Sequence, residues 1–155
     1  MNDFKARKMK KNDLNVVLNL LADDELGQLR EDVGEAANED YIRAFEQISS
    51  DVNQYAAVFE INGVTIGCLQ ITFIPGLSHR GCLRGQIEGV RVARAFRGNG
   101  YGAKMIAWAV SECRRRGCRI VQLTSDKKRR NAIQFYQRLG FVGSHEGLKL
   151  NITNA

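Results

Sequence analysis

Arg97-Gly98-Asn99-Gly100-Tyr101-Gly102 lies between an apolar strand pattern, about Arg84 to Val92, and a long amphipathic helix pattern from Tyr101 to Arg116. Glycines at 98, 100 and 102 let the backbone take conformations that a Cβ forbids. Successive N–H groups can then turn toward one point and approach an anion closely, and the helix that follows adds its unpaired amide donors and the positive end of its dipole. That is a phosphate-cradle position. The spacing is not that of a P-loop, which needs a Gly-Lys-Ser/Thr ending, nor that of the dinucleotide fingerprint. It reads Arg-x-x-Gly-x-Gly.

Two flanking segments sharpen the reading. Ile87-Glu88-Gly89-Val90-Arg91-Val92 comes just before the loop, and Asn131-Ala132-Ile133-Gln134-Phe135-Tyr136-Gln137-Arg138-Leu139-Gly140-Phe141 some thirty residues after it. With the three pieces in this order the chain resembles the GNAT superfamily of N-acetyltransferases, the likeness running from Gly85 to Phe141. The resemblance implies an enzyme that moves an acetyl group from acetyl-CoA, as cosubstrate, to an amine by direct transfer in a ternary complex. It also implies an α/β fold: a mixed, mostly antiparallel central sheet flanked by helices, with a splayed pair of parallel strands.

By the same resemblance, the main chain at Val90, Arg91 and Val92 contacts the pantetheine arm. Arg97 opens the pyrophosphate loop, whose members Gly98, Asn99, Gly100, Tyr101 and Gly102 bind mainly through backbone amides. Asn131 combines a helix N-cap with a contact to the cofactor arm. Tyr136 stands where many GNAT enzymes place a tyrosine hydroxyl beside the CoA sulfur, although its spacing with Ala132, Phe135 and Leu139 also fits a packed helix stripe. Lys104 and Arg138 are open to either the adenosine 3′-phosphate or solvent.

Chemistry requires a base as well as an acid. An amine with a pKa near 10.4 must lose a proton before it attacks, which costs roughly 4 to 5 kcal/mol at neutral pH. Glu88 is the candidate base, because a carboxylate on an otherwise nearly apolar strand is costly unless hydrated, paired or useful. A salt bridge to Arg84 or Arg91 explains it equally well. His79 and His145 titrate in the right range but read as surface residues. Regular alternation would put Glu88, Val90 and Val92 on one face, and a β-bulge at Gly89 would break that alternation.

The rest of the chain is read from periodicity. Phe4 to Met9 is a first strand; Lys11-Asn12-Asp13 starts a helix bearing Leu14, Val17, Leu18 and Leu21; Gly27 to Asn38 is a mobile link. Glu39 to Ile48 is a second helix, with Tyr41, Ile42, Phe45 and Ile48 on one stripe. Gln54 to Ile61 and Val64 to Ile74 form a hairpin around Asn62-Gly63. Ile106, Ala109, Val110 and Cys113 mark the buried stripe of the long helix, which Gly117 ends. Arg119 to Thr124 is a strand, Asn131 to Gly140 a helix, and Gly143 to Ile152, with Leu148, Leu150 and Ile152 alternating, a final strand.

The 155 residues suffice for one domain over 1–155 without staples. The four cysteines, Cys68, Cys82, Cys113 and Cys118, form no Cys-x-x-Cys pair, so reduced thiols and no metal site are expected. No apolar run is long enough for a membrane, and the polar N-terminus is no secretory signal, so a cytoplasmic protein is expected. The net charge of +6 suits a ligand bearing phosphates. The expected partner is a small-molecule primary amine, with no nucleic acid and no membrane, and with a homodimer left open. A protein amine as acceptor, or an acyl-CoA-binding module without turnover, are the alternatives. A shorter likeness, in Leu123-Thr124-Ser125 and Ser144-His145, is to aminoalkylphosphonate acetyltransferases.

Overall fold

The computed structural model describes residues 3–34 and 39–153. Five strands form one sheet in the order β1-β2-β3-β4-β5: β1 (Phe4–Lys8), β2 (Gln54–Ile61), β3 (Val64–Pro75), β4 (Leu83–Val92) and β5 (Ile120–Leu123). The first three junctions are antiparallel and β4–β5 is parallel. Asn62 and Gly63 take φ of 49° and 80°, the left-handed pair that a two-residue turn between twisted strands demands.

Alternation sorts the side chains onto two faces. Ala57, Phe59, Leu69, Ile71, Phe73 and Ile87 point to one, where helix α4 (Tyr101–Arg115) closes the core with Met105, Ile106, Ala109 and Cys113. Val58 and Cys68 point to the other, against Val17 and Leu20 of helix α1 (Leu14–Ala22). A single turn of helix, α2 (Glu25–Gln28), follows α1, and α3 (Glu39–Ser50) lies beside β2. Helix α5 (Arg130–Arg138) adds Phe135 and Tyr136 to the first face. All four thiols are free, with Cys68, Cys82 and Cys113 buried and Cys118 half-buried.

The N-terminal strand is fastened by charge. Arg7 donates to both oxygens of Asp13, at 2.7 and 2.9 Å, and to Glu60 across the β1–β2 pair at 2.6 Å. The Arg7 bonds hold the buried Asp13 carboxyl below its ordinary range, against the upward pull of burial.

Three expectations need correction. Gly143 to Ile152 forms no strand: the segment passes Thr124 at Gly147 and then leaves Leu148, Leu150 and Ile152 exposed by 94%, 88% and 87%. Asn131 is not a cap, because α5 begins at Arg130 and Arg129 takes the N-cap position without a side-chain capping bond. The link expected over Gly27 to Asn38 begins as helical turn α2, while residues 35–38 lie outside the described residues. Among the described residues, no helix is long and apolar enough to cross a membrane.

Candidate active site

The site begins where the sheet stops pairing. β4 and β5 are in register from Arg84↔Ile120 to Ile87↔Leu123 and no further, so among the described residues Glu88 to Val92 keeps β3 on one side and has no strand on the other. The divergence has a local cause. Opposite Leu69 the register slips, with Cys68 facing Arg91 and Gln70 facing Glu88, which leaves one extra residue in β4. Gly89 absorbs it at φ 61°, a conformation that a Cβ would strain. The bulge turns Val90 and Val92 toward the α4 core while Glu88 stays on the opposite face, so these three residues do not share a face.

At the end of this free edge stands the glycine loop. Gly98 and Gly100 both take φ 78°, and Gly100 is the N-cap of α4. Among the described residues, no hydrogen-bond acceptor takes the amide hydrogens of Gly98, Asn99, Gly100 or Gly102. Unpaired donors at a helix start, on an exposed loop, are what an anion requires. Gly102 has a second reason to be glycine, since a Cβ there would sit 3.3 Å from the Phe135 ring and push α5 from α4. Lys104 lies over the rings of Phe4 and Tyr101, 5.8 and 5.4 Å from their centroids.

Arg97 is committed elsewhere than the loop it opens. Its Nε donates to the Val92 carbonyl at 2.9 Å, and its Nη2 donates to the Asp23 carbonyl and carboxylate at 3.1 and 3.0 Å. Arg94 donates to the same carboxylate at 2.8 Å. These bonds fasten the end of α1 to the loop, so the side chain acts as a brace.

Tyr136 sits among the Phe135 and Phe141 rings on the α4 side of the opening, 5.1 and 5.9 Å away between centroids. Burial raises its pKa above the usual 10, while the charges of Arg91 and Arg129 pull the other way. The hydroxyl therefore keeps its proton at neutral pH, the form that a general acid needs. Glu88 is exposed and makes no ion pair among the described residues; Arg84 donates to Gln122 and Arg91 approaches Asp24 instead. Glu88 and Tyr136 lie on opposite faces of the sheet. Asn131, His79 and His145 are exposed.

The structure adds residues that the sequence reading missed. Gln54, Gln70, Gln86 and Gln122 line the face that carries Glu88, with Gln70 donating to Gln54 at 2.8 Å and Gln122 to Gln86 at 2.7 Å. A single glutamine in each of four successive strand patterns, amid mostly apolar neighbours, was the available signal. Beside this polar floor, Asp24 from the α1–α2 turn accepts from Arg129 at 2.6 Å and lies 3.7 Å from Arg91. Burial pulls the Asp24 carboxyl upward, but its bond from the Gly27 N–H and the two arginines hold it below the ordinary range. A separate cleft of about 530 Å³ beside α1, bordered by Val16, Leu20, Asp23 and Ala93, contains neither Tyr136 nor Glu88.

The sheet thus opens at a glycine bulge, with unpaired amides at the following helix start and a phenol beside the gap. The family follows from comparison. Residues 17–141 match the model of the acetyltransferase (GNAT) family, and the chain belongs to that family. It is 41% identical to a transcriptional regulator from Bacillus halodurans C-125, whose crystal structure superposes with a TM-score of 0.93 over 96% of this chain and 99% of that one. Glucosamine-6-phosphate N-acetyltransferase from Arabidopsis thaliana superposes at 0.77, with 25% identity over 97% of this chain and 99% of the enzyme. Aminoalkylphosphonate N-acetyltransferase from Salmonella typhimurium is 33% identical over 84 residues, 54% of each chain. The chain thus spans about half the length of that curated relative, and 37% of an N-acetyltransferase from Methanocaldococcus jannaschii that is 35% identical.

Proposed function

We propose that this protein transfers the acetyl group of acetyl-CoA to the primary amine of a small molecule, directly and in a ternary complex. The observation that carries the reading is the conjunction of the unpaired edge from Glu88 to Val92 with the unclaimed amides of Gly98, Asn99, Gly100 and Gly102 at its end. The amides receive the diphosphate, and the free edge gives the amide-bearing arm of the cosubstrate a strand to pair with.

The thioester supplies an activated acetyl group, and the chain's residues manage protons around it. A C–N bond forms as the amine nitrogen attacks, and the C–S bond breaks. Tyr136 gives its proton to the departing sulfur, and the nitrogen loses one to water or to the Glu88 carboxylate, from which the phenol is restored. Glu88 suits a water-relayed base, being exposed and unpaired on the face with the glutamine floor. Donors on the free edge offset the charge that develops on the acetyl oxygen.

The test is acetyl-CoA binding at equilibrium alongside thiol release across a panel of small amines. Binding with release for some amine supports the reading; binding without release for any amine would leave a cofactor-binding module. Tyr136→Phe is expected to lower kcat by about 10²-fold with acetyl-CoA affinity within about threefold. Equal losses in both would make the ring a packing element.

A further inference from the structure

Arg91 reaches the face that carries Glu88 from just beyond the bulge, and Arg129 reaches it from the turn before α5. Both converge on one carboxylate oxygen, Asp24 Oδ2. The side chains are largely enclosed, 14% exposed for Arg91 and 24% for Arg129. Arg91 Nη1 also donates to the Val90 carbonyl at 2.9 Å. Two donors are left over: Arg91 Nε and Arg129 Nη2 are buried and have no hydrogen-bond partner among the described residues.

The count of charges is as uneven as the count of bonds. Asp24 spends one oxygen on the Gly27 N–H, which caps α2, and has a single negative charge to set against two guanidiniums. Arg30 adds a third cation near enough to act on Arg91. A buried donor without an acceptor, or a buried cation without a counter-charge, is retained at a cost that a fold avoids unless something else completes it. An oxyanion would complete this cluster, since guanidinium forks match carboxylates, phosphonates and sulfonates with two parallel bonds. The cluster crosses the opening between β4 and the chain after β5, on the face that carries Glu88 and close enough to Tyr136 to act on it electrostatically.

We infer that Arg91 and Arg129 form an anion subsite for the acceptor, so that the preferred substrate is a small amine carrying its own carboxylate, phosphonate or sulfonate. The inference rests on the acetyl-transfer reading and names the acceptor class for it. As the anion arrives it joins Asp24 at the two arginines, and small rotations bring Arg91 Nε and Arg129 Nη2 onto its oxygens. The amine end is then held toward the thioester, and amines without the anion lose that anchor.

Three acidic amines, 2-aminoethylphosphonate, β-alanine and taurine, are compared with ethylamine and ethanolamine at fixed acetyl-CoA, which also separates the three anion types. At least one acidic amine is expected to exceed the neutral ones in kcat/KM by about tenfold or more. Arg129→Gln should remove most of that preference through KM, lowering kcat/KM for the acidic amines by a clearly larger factor than for the neutral ones. Neutral amines used as well as all three acidic ones, or an equal loss for both kinds in Arg129→Gln, would overturn the subsite. Ethylphosphonate, propionate and ethanesulfonate have no amine to acetylate, so their binding to the protein saturated with CoA reads the subsite without turnover. Saturable binding of any of them that Arg129→Gln weakens, in a protein that releases no CoA with any amine, would keep the subsite and sink the enzyme reading. Binding of none of the three would sink the subsite while leaving acetyl transfer intact.

Discussion

The middle of the sheet and the C-terminal segment carry the same apolar alternation and have opposite fates. In β2 and β3 the residues Val58, Phe59, Ile66 and Ile71 are wholly enclosed, because each strand has a hydrogen-bonded neighbour on both sides and a helix over at least one face. In the last segment Leu148, Leu150 and Ile152 stand in solvent, although their spacing is as regular. Alternation states which side chains would share a face. It does not supply the backbone partner that makes the face real, and a strand without a partner has only the entropy cost of being straight.

Four substitutions probe the contrast. Phe59→Ala, in the sealed centre against Trp108 and Phe4, is expected to cost about 3 to 5 kcal/mol, read from denaturant midpoints at constant m-value. A loss below about 1 kcal/mol would mean that the centre is far looser than its exposure suggests. Next comes Asp13→Ala, which strands Arg7 beside Glu60 and should cost about 2 kcal/mol at neutral pH. Its sign with pH is fixed: the folded carboxyl lies below its ordinary 3.8, so the stabilisation is full above 3.8 and drains away as pH falls through the lowered value. Wild type and variant should therefore converge in acid titration, and a constant gap would assign the effect to packing.

Gly89→Val should cost about 1 to 2 kcal/mol through its φ of 61°, and should reduce acetyl transfer by a larger factor than the stability change explains, since it re-aims β4. Intact activity in a folded variant would detach the bulge from function. Leu150→Ser has the smallest expected effect, within about 0.5 kcal/mol by thermal unfolding. A loss above about 1.5 kcal/mol would show that the segment is covered in solution and that the contrast is not intrinsic to one chain.

Much of the fold was legible because its signals are local. The glycines of the loop, the Asn62-Gly63 turn and the stripe of Ile106, Ala109 and Cys113 each depend on residues within a turn or two of one another. Gly89 was readable as a bulge, but its consequence for which face Glu88 takes was not, since a shift of one residue reverses every later side chain. The basic cluster was invisible for a different reason. Asp24, Arg91 and Arg129 come from three separated stretches, each of which alone reads as a solvated charge, and only the fold sets them against one carboxylate oxygen. Arg97 was legible as the start of the loop and not as a brace, because Asp23, its partner, belongs to a distant helix end.

The enclosed thiols give this protein a clock of its own. Burial pushes Cys68 and Cys113 up to about 12, so at pH 8 only about one part in 10⁴ of either is the nucleophilic thiolate, and no reagent reaches it through the packed core. Alkylation of these two cysteines must wait for the chain to open, whereas the half-exposed Cys118 can react without waiting. The ratio of the two labelling rates, followed by mass spectrometry, counts opening events in the packed core without any residue being replaced.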